Sequence, residues 1–332
     1  RLTMAVHFHK LAVKKIVRET ADCVSIEFAV PDELKKVFQY TQGQSINIKT
    51  MLNGEEVRRT YSICTSPQEN KLKVAVKKVP HGLFSTYANE QLKAGDVLEV
   101  MNPLGKFNTA LHPDNKKNYA AFAAGSGITP VLSIIKATLA AEPHSRFTLV
   151  YGNRNRSSII FFEELESLKN KYMDRFTLIH ILSREKTDAA INFGRITTEK
   201  CSHLFEKLMD VKQTDEFFLC GPQQMIFEVQ EFLEAHGVDE KKIHFELFTT
   251  EKKAQKQEVR STKYDNETTP SSKIEMKLDG RTFFFDIPLN SDATILDAAM
   301  QQGADVPYAC KGGVCCTCKA KLVEGEVEMD VH

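Results

Sequence analysis

The rhythm of apolar runs changes once along this 332-residue chain, and that change limits the folds open to it. From Phe8 to about Val100, short β-type runs follow one another: Lys10 to Glu19, Val24 to Val30, Ser45 to Met51, Arg58 to Ser62, Leu72 to Lys78 and Val97 to Met101. Turn signals such as Asn53-Gly54 and Ala94-Gly95-Asp96 separate them, so a small antiparallel β-barrel is the expected closure. After Pro113, strands alternate with helices. Strands at Tyr119 to Ala124, Phe147 to Tyr151, Phe176 to Leu182, Glu216 to Cys220 and Ile243 to Phe248 enclose helices at Val131 to Ala141, Phe161 to Lys171 and Gln223 to His236. That alternation predicts an α/β doubly wound parallel sheet.

A polar stretch from about Thr250 to Ser272, almost free of large apolar residues, reads as a flexible tether. Beyond it the pattern predicts strands at Ile274 to Leu278 and Arg281 to Ile287, a helix from Thr294 to Gln302 and a strand from Lys319 to Val323. The expected organisation is therefore multidomain: a barrel over 5–112, a doubly wound domain over 113–249, a linker over 250–272 and a small third domain over 273–332.

Cys310, Cys315 and Cys318 stand at C-x4-C-x2-C spacing in a loop that also holds Gly312 and Gly313. Soft thiolates suit iron-sulfur iron, and glycines let backbone amides turn toward the sulfurs, so a [2Fe-2S] cluster is the expected occupant. Zinc is the competing metal, but zinc ribbons usually carry two C-x2-C pairs and there is no second pair. A cluster of this type takes a fourth cysteine well downstream, whereas the sequence given ends at His332, fourteen residues after Cys318. Cys316 adjoins Cys315 and would point away, and His332 is terminal, so neither replaces it.

With 44 basic and 44 acidic residues, overall charge offers no reason to expect nucleic-acid binding. From Lys273 onward there are six Lys/Arg against ten Asp/Glu, so the third domain is acidic at net −4. Cys23, Cys64, Cys201 and Cys220 are isolated, which fits reduced thiols in a cytoplasmic protein better than a disulfide framework. The first ten residues lack an apolar signal region, and the most apolar stretch, Ala120 to Ala141, is broken by Gly125, Gly127, Pro130 and Lys136. No membrane association is expected. Met4 reads as the native start, with Arg1 to Thr3 an added stretch.

Two short motifs lie in the barrel region: R-x-Y-S at Arg59 to Ser62 and G-x-x-S at Gly82-Leu83-Phe84-Ser85. Four residues alone could be a strand with a paired arginine and a core tyrosine; their order with the next segment gives them weight. Gly125-Ser126-Gly127-Ile128-Thr129-Pro130 follows an apolar strand and opens a helix, where a glycine turn brings pyrophosphate to a helix N-terminus. Proline in the first turn costs no helical hydrogen bond. The second strand of the sheet ends in Asn153-Arg154, with no carboxylate poised for a ribose 2′-hydroxyl, and the third ends in Ser183-Arg184. The fourth ends in Cys220-Gly221-Pro222 followed by Met225, and the fifth in Glu246-Leu247-Phe248.

This succession resembles the ferredoxin-NADP reductase superfamily, and within it the reductase components of multicomponent oxygenases that carry a C-terminal plant-type ferredoxin domain of β-grasp fold. The resemblance covers nearly the whole chain; the missing fourth cysteine and last strand make the ferredoxin-like domain incomplete at its C-terminus. It implies FAD in the barrel: Arg59 on pyrophosphate, Tyr61 against flavin or ribityl chain, Ser62 on the hydride-accepting nitrogen, and the backbone around Val76 and Lys78 at the flavin edge. Gly82, Leu83, Phe84 and Ser85 complete that set, with Phe248 covering the flavin. It implies NADPH in preference to NADH on Gly125, Gly127, Thr129, Pro130, Gly221, Pro222 and Met225, with Ser183 and Arg184 gripping the 2′-phosphate and Arg154 also binding the nucleotide. Ser62, Cys220 and Glu246 are then the catalytic set. The implied activity is electron transfer from NADPH through FAD and the cluster to an oxygenase partner of diiron type. Alternatives are an NADPH-FAD dehydrogenase lacking a functional cluster, and a nucleotide-binding redox sensor.

Overall fold

The computed structural model describes residues 7–248, 271–278, 281–289, 291, 293–304, 306–308, 311 and 317–328. Residues 8–250 form one compact unit, and 1–7 with 251–332 the other. The first unit opens with an antiparallel barrel of β1 (Phe8–Thr20), β2 (Cys23–Ala29), β3 (Ser45–Leu52), β4 (Glu55–Ser62), β5 (Leu72–Lys77) and β6 (Val97–Met101), in the order β4-β3-β6-β1-β2-β5. An antiparallel bridge between Ile63 and Val74, with the Cys64 amide donating to the Lys73 carbonyl at 2.9 Å, joins the two ends and closes the sheet on itself. Closure leaves alternate residues facing inward. Leu11, Val13, Ile26, Ile46, Ile48, Val74, Val76 and Val100 accordingly form the barrel core.

Between β5 and β6 lies a helix that the sequence reading did not anticipate, α1 (Leu83–Glu90). Only two turns long, it carries too short a periodicity to be distinguished from a loop. Its Phe84 and Ala88 join the barrel core.

The second half of this unit alternates β7 (Asn118–Ala124), α2 (Ile128–Ala141), β8 (Arg146–Asn153), α3 (Phe162–Lys171), β9 (Phe176–Leu182), α4 (Thr198–Lys207), β10 (Glu216–Gly221), α5 (Gln223–Ala235) and β11 (Ile243–Leu247). The strands are all parallel, in the order β11-β10-β7-β8-β9. Helix α4 was also not anticipated: its ten residues bury only Cys201 and Leu204, and its clearest local signal is the Thr197 side chain accepting from the Lys200 amide. Strand order reverses between β7 and β10, and such a switch point opens a crevice beyond the carboxyl ends of the strands.

In the second unit, β12 (Ser271–Leu278) and β13 (Arg281–Pro288) form an antiparallel hairpin, followed by α6 (Ile295–Gln301) with Thr294 as its cap. Ile274, Met276, Phe283 and Ile287 pack with buried Phe285, Ala298, Ala299 and Ala304. The expected strand from Lys319 to Val323 is not formed. An extended run becomes a strand only when a neighbour meets its amides and carbonyls; among the described residues none pairs with it, and Val323 is 88% exposed.

Helix α2 joins barrel and sheet. Twelve of its fourteen residues are buried, because one side lies on the parallel sheet and the other against the barrel. Its Ser133 hydroxyl donates to the Thr65 carbonyl at 2.6 Å and accepts from the Gly43 amide at 3.4 Å. Gly43 is required at this contact: φ is +80°, and a Cβ there would lie 1.9 Å from the Phe107 carbonyl oxygen. One turn along, the Lys136 ammonium, 9% exposed, lies 2.7 Å from Glu69 of the barrel and 2.6 Å from Glu164 of α3. Burial alone would raise the Glu69 pKa, but Lys136 and the Ser66 amide outweigh it and hold the carboxyl below its ordinary value. Glu69 and Glu164 keep 34% and 29% side-chain exposure and Lys73 also lies 3.6 Å from Glu164, so Lys136→Met should cost about 1 kcal/mol of unfolding free energy. Because the Glu69 pKa is depressed on folding, its contribution is present above its ordinary pKa of 4.5 and is lost as pH falls through the folded value. Thermal unfolding followed against pH should show a steeper acid decline in the wild type than in Lys136→Met.

Candidate active site at the junction of barrel and parallel sheet

On the barrel side the expected residues come from the ends of β4 and β5 and the start of α1. Arg58 is buried and ion-paired with Glu56 at 2.7 Å, and Arg59 is exposed, its guanidinium donating to the Arg58 carbonyl at 2.7 Å. Tyr61 is half-buried with its ring centroid 5.5 Å from that of Phe84, and burial pushes its phenol up, so it stays protonated. Ser62 and Val76 are buried, while Lys78 is exposed and ion-paired with Glu90.

Gly82 caps α1, and a Cβ there would meet the Ser85 Oγ at 2.4 Å and Val79 Cγ2 at 2.5 Å. Buried Ser85 holds that turn, its hydroxyl accepting from the Val79 amide and donating to the Gly82 carbonyl, both at 3.2 Å. Phe84 is fully buried and Leu83 exposed. Exposed Arg59, helix-start amides at Leu83 to Ser85 and an aromatic at Tyr61 offer a cation and donors for a pyrophosphate and a face for a ring system. That donor set fits FAD.

On the sheet side, β7 runs into a 3₁₀ turn at Gly125–Gly127 and then into α2. The two glycines do different jobs. Gly125 has φ +54° and open space where a Cβ would stand, so the turn leaves room above the helix N-terminus for phosphate oxygens. Gly127 has none: a Cβ there would lie 2.0 Å from the Cys220 carbonyl oxygen, so only glycine lets α2 touch the end of β10. Thr129 is buried with its hydroxyl donating to the Ser126 carbonyl at 3.0 Å, and Pro130 sits in the first turn of α2. Gly221 abuts Ala124 and buried Met225, and Pro222 starts α5.

The three expected catalytic residues lie together beside this switch point, on its β10–β11 side. Cys220 and Glu246 are register partners on β10 and β11, and the Ser62 hydroxyl of the barrel donates to Glu246 Oε2 at 3.1 Å. Burial, reinforced by the Glu246 carboxylate, pushes the Cys220 thiol well above its ordinary pKa. A protonated, fully buried thiol is a poor nucleophile and a good packing surface. Phe248 lies against the buried cluster that contains Cys220, Cys64 and Ile128.

Arg154 and the Ser183-Arg184 pair emerge side by side from the ends of β8 and β9. The Ser183 amide donates to the Asn153 carbonyl at 2.9 Å and the Arg184 amide to the Arg154 carbonyl at 2.8 Å. Both arginines are exposed beyond the same carboxyl edge as the glycine turn. One contributor was missed in the sequence: the Tyr151 hydroxyl donates to the Gly125 carbonyl at 2.9 Å and braces the turn. Its only signal was a tyrosine in an otherwise apolar strand, since a buried phenol needs a partner. Of the expected cluster ligands, Cys318 is half-buried, and Cys310 and Cys315 lie outside the described residues.

Comparison with known proteins agrees with this division. The chain matches the oxidoreductase FAD-binding domain over residues 10–109, the oxidoreductase NAD-binding domain over 122–231 and the 2Fe-2S iron-sulfur cluster binding domain over 277–332. It is 44% identical to one of the subunits of the 1,2-phenylacetyl-CoA epoxidase of Escherichia coli, over 98% of this chain and 89% of that protein. It is 34% identical to the ferredoxin reductase component of 3-ketosteroid-9-alpha-monooxygenase from Rhodococcus rhodochrous, over 96% and 87% of the respective chains. Among solved structures, the FAD/NAD-binding domain of a nitric oxide dioxygenase from Vibrio cholerae superposes with a TM-score of 0.63 at 26% identity, covering 73% of this chain and 99% of that one. The chain is an oxidoreductase, and it belongs to the family of oxygenase reductase components in which oxidoreductase FAD- and NAD-binding domains are joined to a C-terminal 2Fe-2S domain.

Proposed function

We propose that this chain takes electrons from NADPH and delivers them, through FAD and a [2Fe-2S] cluster, to an oxygenase component of the phenylacetyl-CoA epoxidase type in the cytoplasm. The observation that supports the catalytic part is the Ser62–Glu246 hydrogen bond between barrel and sheet, with Cys220 the register partner of Glu246. FAD supplies the conversion from paired to single electrons, since nicotinamide gives up a hydride and the cluster accepts one electron at a time.

The protein's own groups divide the work. Arg59 and the amides at the start of α1 neutralise the flavin pyrophosphate, and the Tyr61 ring offers an apolar face beside it. Gly125, Gly127 and the start of α2 take the nicotinamide pyrophosphate. Cys220, held as a neutral thiol, excludes water and shapes the nicotinamide subsite without bonding to it. The Ser62 hydroxyl, anchored by Glu246, is held to exchange a proton at Oγ, with Glu246 Oε2 as the next acceptor.

The choice of NADPH rests on the adjacency of Arg154, Ser183 and Arg184 and on the absence of an acidic residue at the end of β8. A guanidinium pair and a hydroxyl suit a phosphate dianion better than a ribose hydroxyl. The oxygenase partner rests on the functions of the relatives, and the epoxidase type on the 44% identity.

Glu246→Gln should slow flavin reduction by NADPH about 10²-fold in anaerobic stopped-flow, within the range for removing one proton-transfer group. Arg184→Ala should lower the preference for NADPH over NADH about tenfold in kcat/KM, the effect of one charge-assisted contact. Anaerobic titration of the full-length protein with NADPH should bleach both the flavin bands and the broad iron-sulfur bands. Bleaching of the flavin alone would overturn the relay while leaving the flavin assignment intact.

A further inference from the structure

The FAD assignment rests on two segments that belong to different elements: the end of β5 around Val76 and the start of α1 around Ser85. One side chain ties them together. Asn89, on the last turn of α1 and 8% exposed, donates from its amide nitrogen to the Val76 carbonyl at 3.0 Å and to the Ser85 carbonyl at 2.8 Å. Its amide oxygen accepts from Arg18 Nη1 of β1 at 2.8 Å, and Arg18 Nη2 donates to the Asn89 main-chain carbonyl at 2.5 Å. Both amide protons are thereby directed at backbone, and the arginine fork fixes which way the amide faces, since only the oxygen can accept from a guanidinium.

The position explains why an amide is needed. The Val76 carbonyl, on the residue paired with Val24 of β2, accepts from the Asn89 side chain as well, just before the chain leaves the barrel for the turn at Val79 to Gly82. An aspartate of the same shape would present no donors and would face two carbonyl oxygens with negative charge. A leucine would remove the side-chain link between the two segments in a buried place.

We infer that Asn89, held by Arg18, is a positioning residue for FAD: it sets the spacing between the strand end assigned to the flavin edge and the helix start assigned to the pyrophosphate. The inference rests on the assignment of those two segments to FAD. A residue acting only as structural glue would lower stability without moving the flavin, and a spacing residue must alter how the flavin is held.

The test is dilution of full-length holoprotein, with released FAD read by its fluorescence, together with visible circular dichroism of the bound flavin. Asn89→Asp is expected to raise the FAD Kd about 10- to 100-fold, the loss of two buried hydrogen bonds, and to change the dichroism bands. Arg18→Met, which frees the amide to rotate, should raise the Kd about 3- to 10-fold. If Asn89→Asp does not fold, Arg18→Met decides alone. A Kd within about twofold of wild type and an unchanged dichroism spectrum, with only the melting temperature lowered, overturn the inference. Arg59→Ala separates it from the underlying assignment: loss of FAD in Arg59→Ala with full retention in the Asn89 and Arg18 variants would uphold the flavin site and reject the spacing role. Wild-type protein that binds no FAD would remove the site itself.

Discussion

Helix α2 is buried from two directions, and the geometry of the first unit depends on that. A helix lying only on a parallel sheet exposes its far side; here the far side is occupied by the barrel, through the Ser133 contacts with Thr65 and Gly43 and the Lys136 cluster with Glu69 and Glu164. Placing a lysine at 9% exposure is costly unless its charge is met, so the two carboxylates and the helix define one another's positions. Phe107 of the barrel side, edge-on to Phe218 of β10 at 5.5 Å, extends the same contact with apolar surface.

That fixed docking makes a site from parts that are far apart in the chain. Ser62 and Glu246 are 184 residues apart, and their hydrogen bond forms only if barrel and sheet meet at one angle. Gly127 against the Cys220 carbonyl imposes a second close approach, between the start of α2 and the end of β10. A site of this kind is preorganised: its polar groups are oriented by packing before any ligand arrives, so little reorganisation is left to the reacting system. The buried thiols follow the same logic. Desolvation pushes Cys23, Cys64 and Cys201 up to about 12, keeping them neutral and apolar in character.

The second unit is built on a smaller scale. Among the described residues its hairpin and α6 enclose four buried apolar residues backed by a half-buried apolar rim. Small cores are commonly supplemented by a metal centre, and this region matches the 2Fe-2S iron-sulfur cluster binding domain. The stretch from Lys273 onward is net −4 against +4 for the rest of the chain, a property that bears on encounter rates with charged partners and not on the fold.

Much was legible without coordinates. Alternation with period two and the later strand-helix rhythm specified the barrel strands and the parallel sheet, because side-chain periodicity follows directly from backbone geometry. The glycine turn, R-x-Y-S and C-x4-C-x2-C were legible because their chemistry needs particular residues at fixed local spacing. Helices α1 and α4 were not, being too short or too polar for periodicity to register, and the run from Lys319 to Val323 had strand-like residues but found no partner among the described residues. Nor could local spacing reveal that Tyr151 braces Gly125, that Lys136 joins two carboxylates or that Asn89 spans two elements. Local pattern was enough for the long periodic elements and for the residue types of each motif, since both are local properties. Which short segments become helix or strand, and which side chains meet, was settled by packing, because a hydrogen bond between residues distant in the chain exists only once their elements have been brought together.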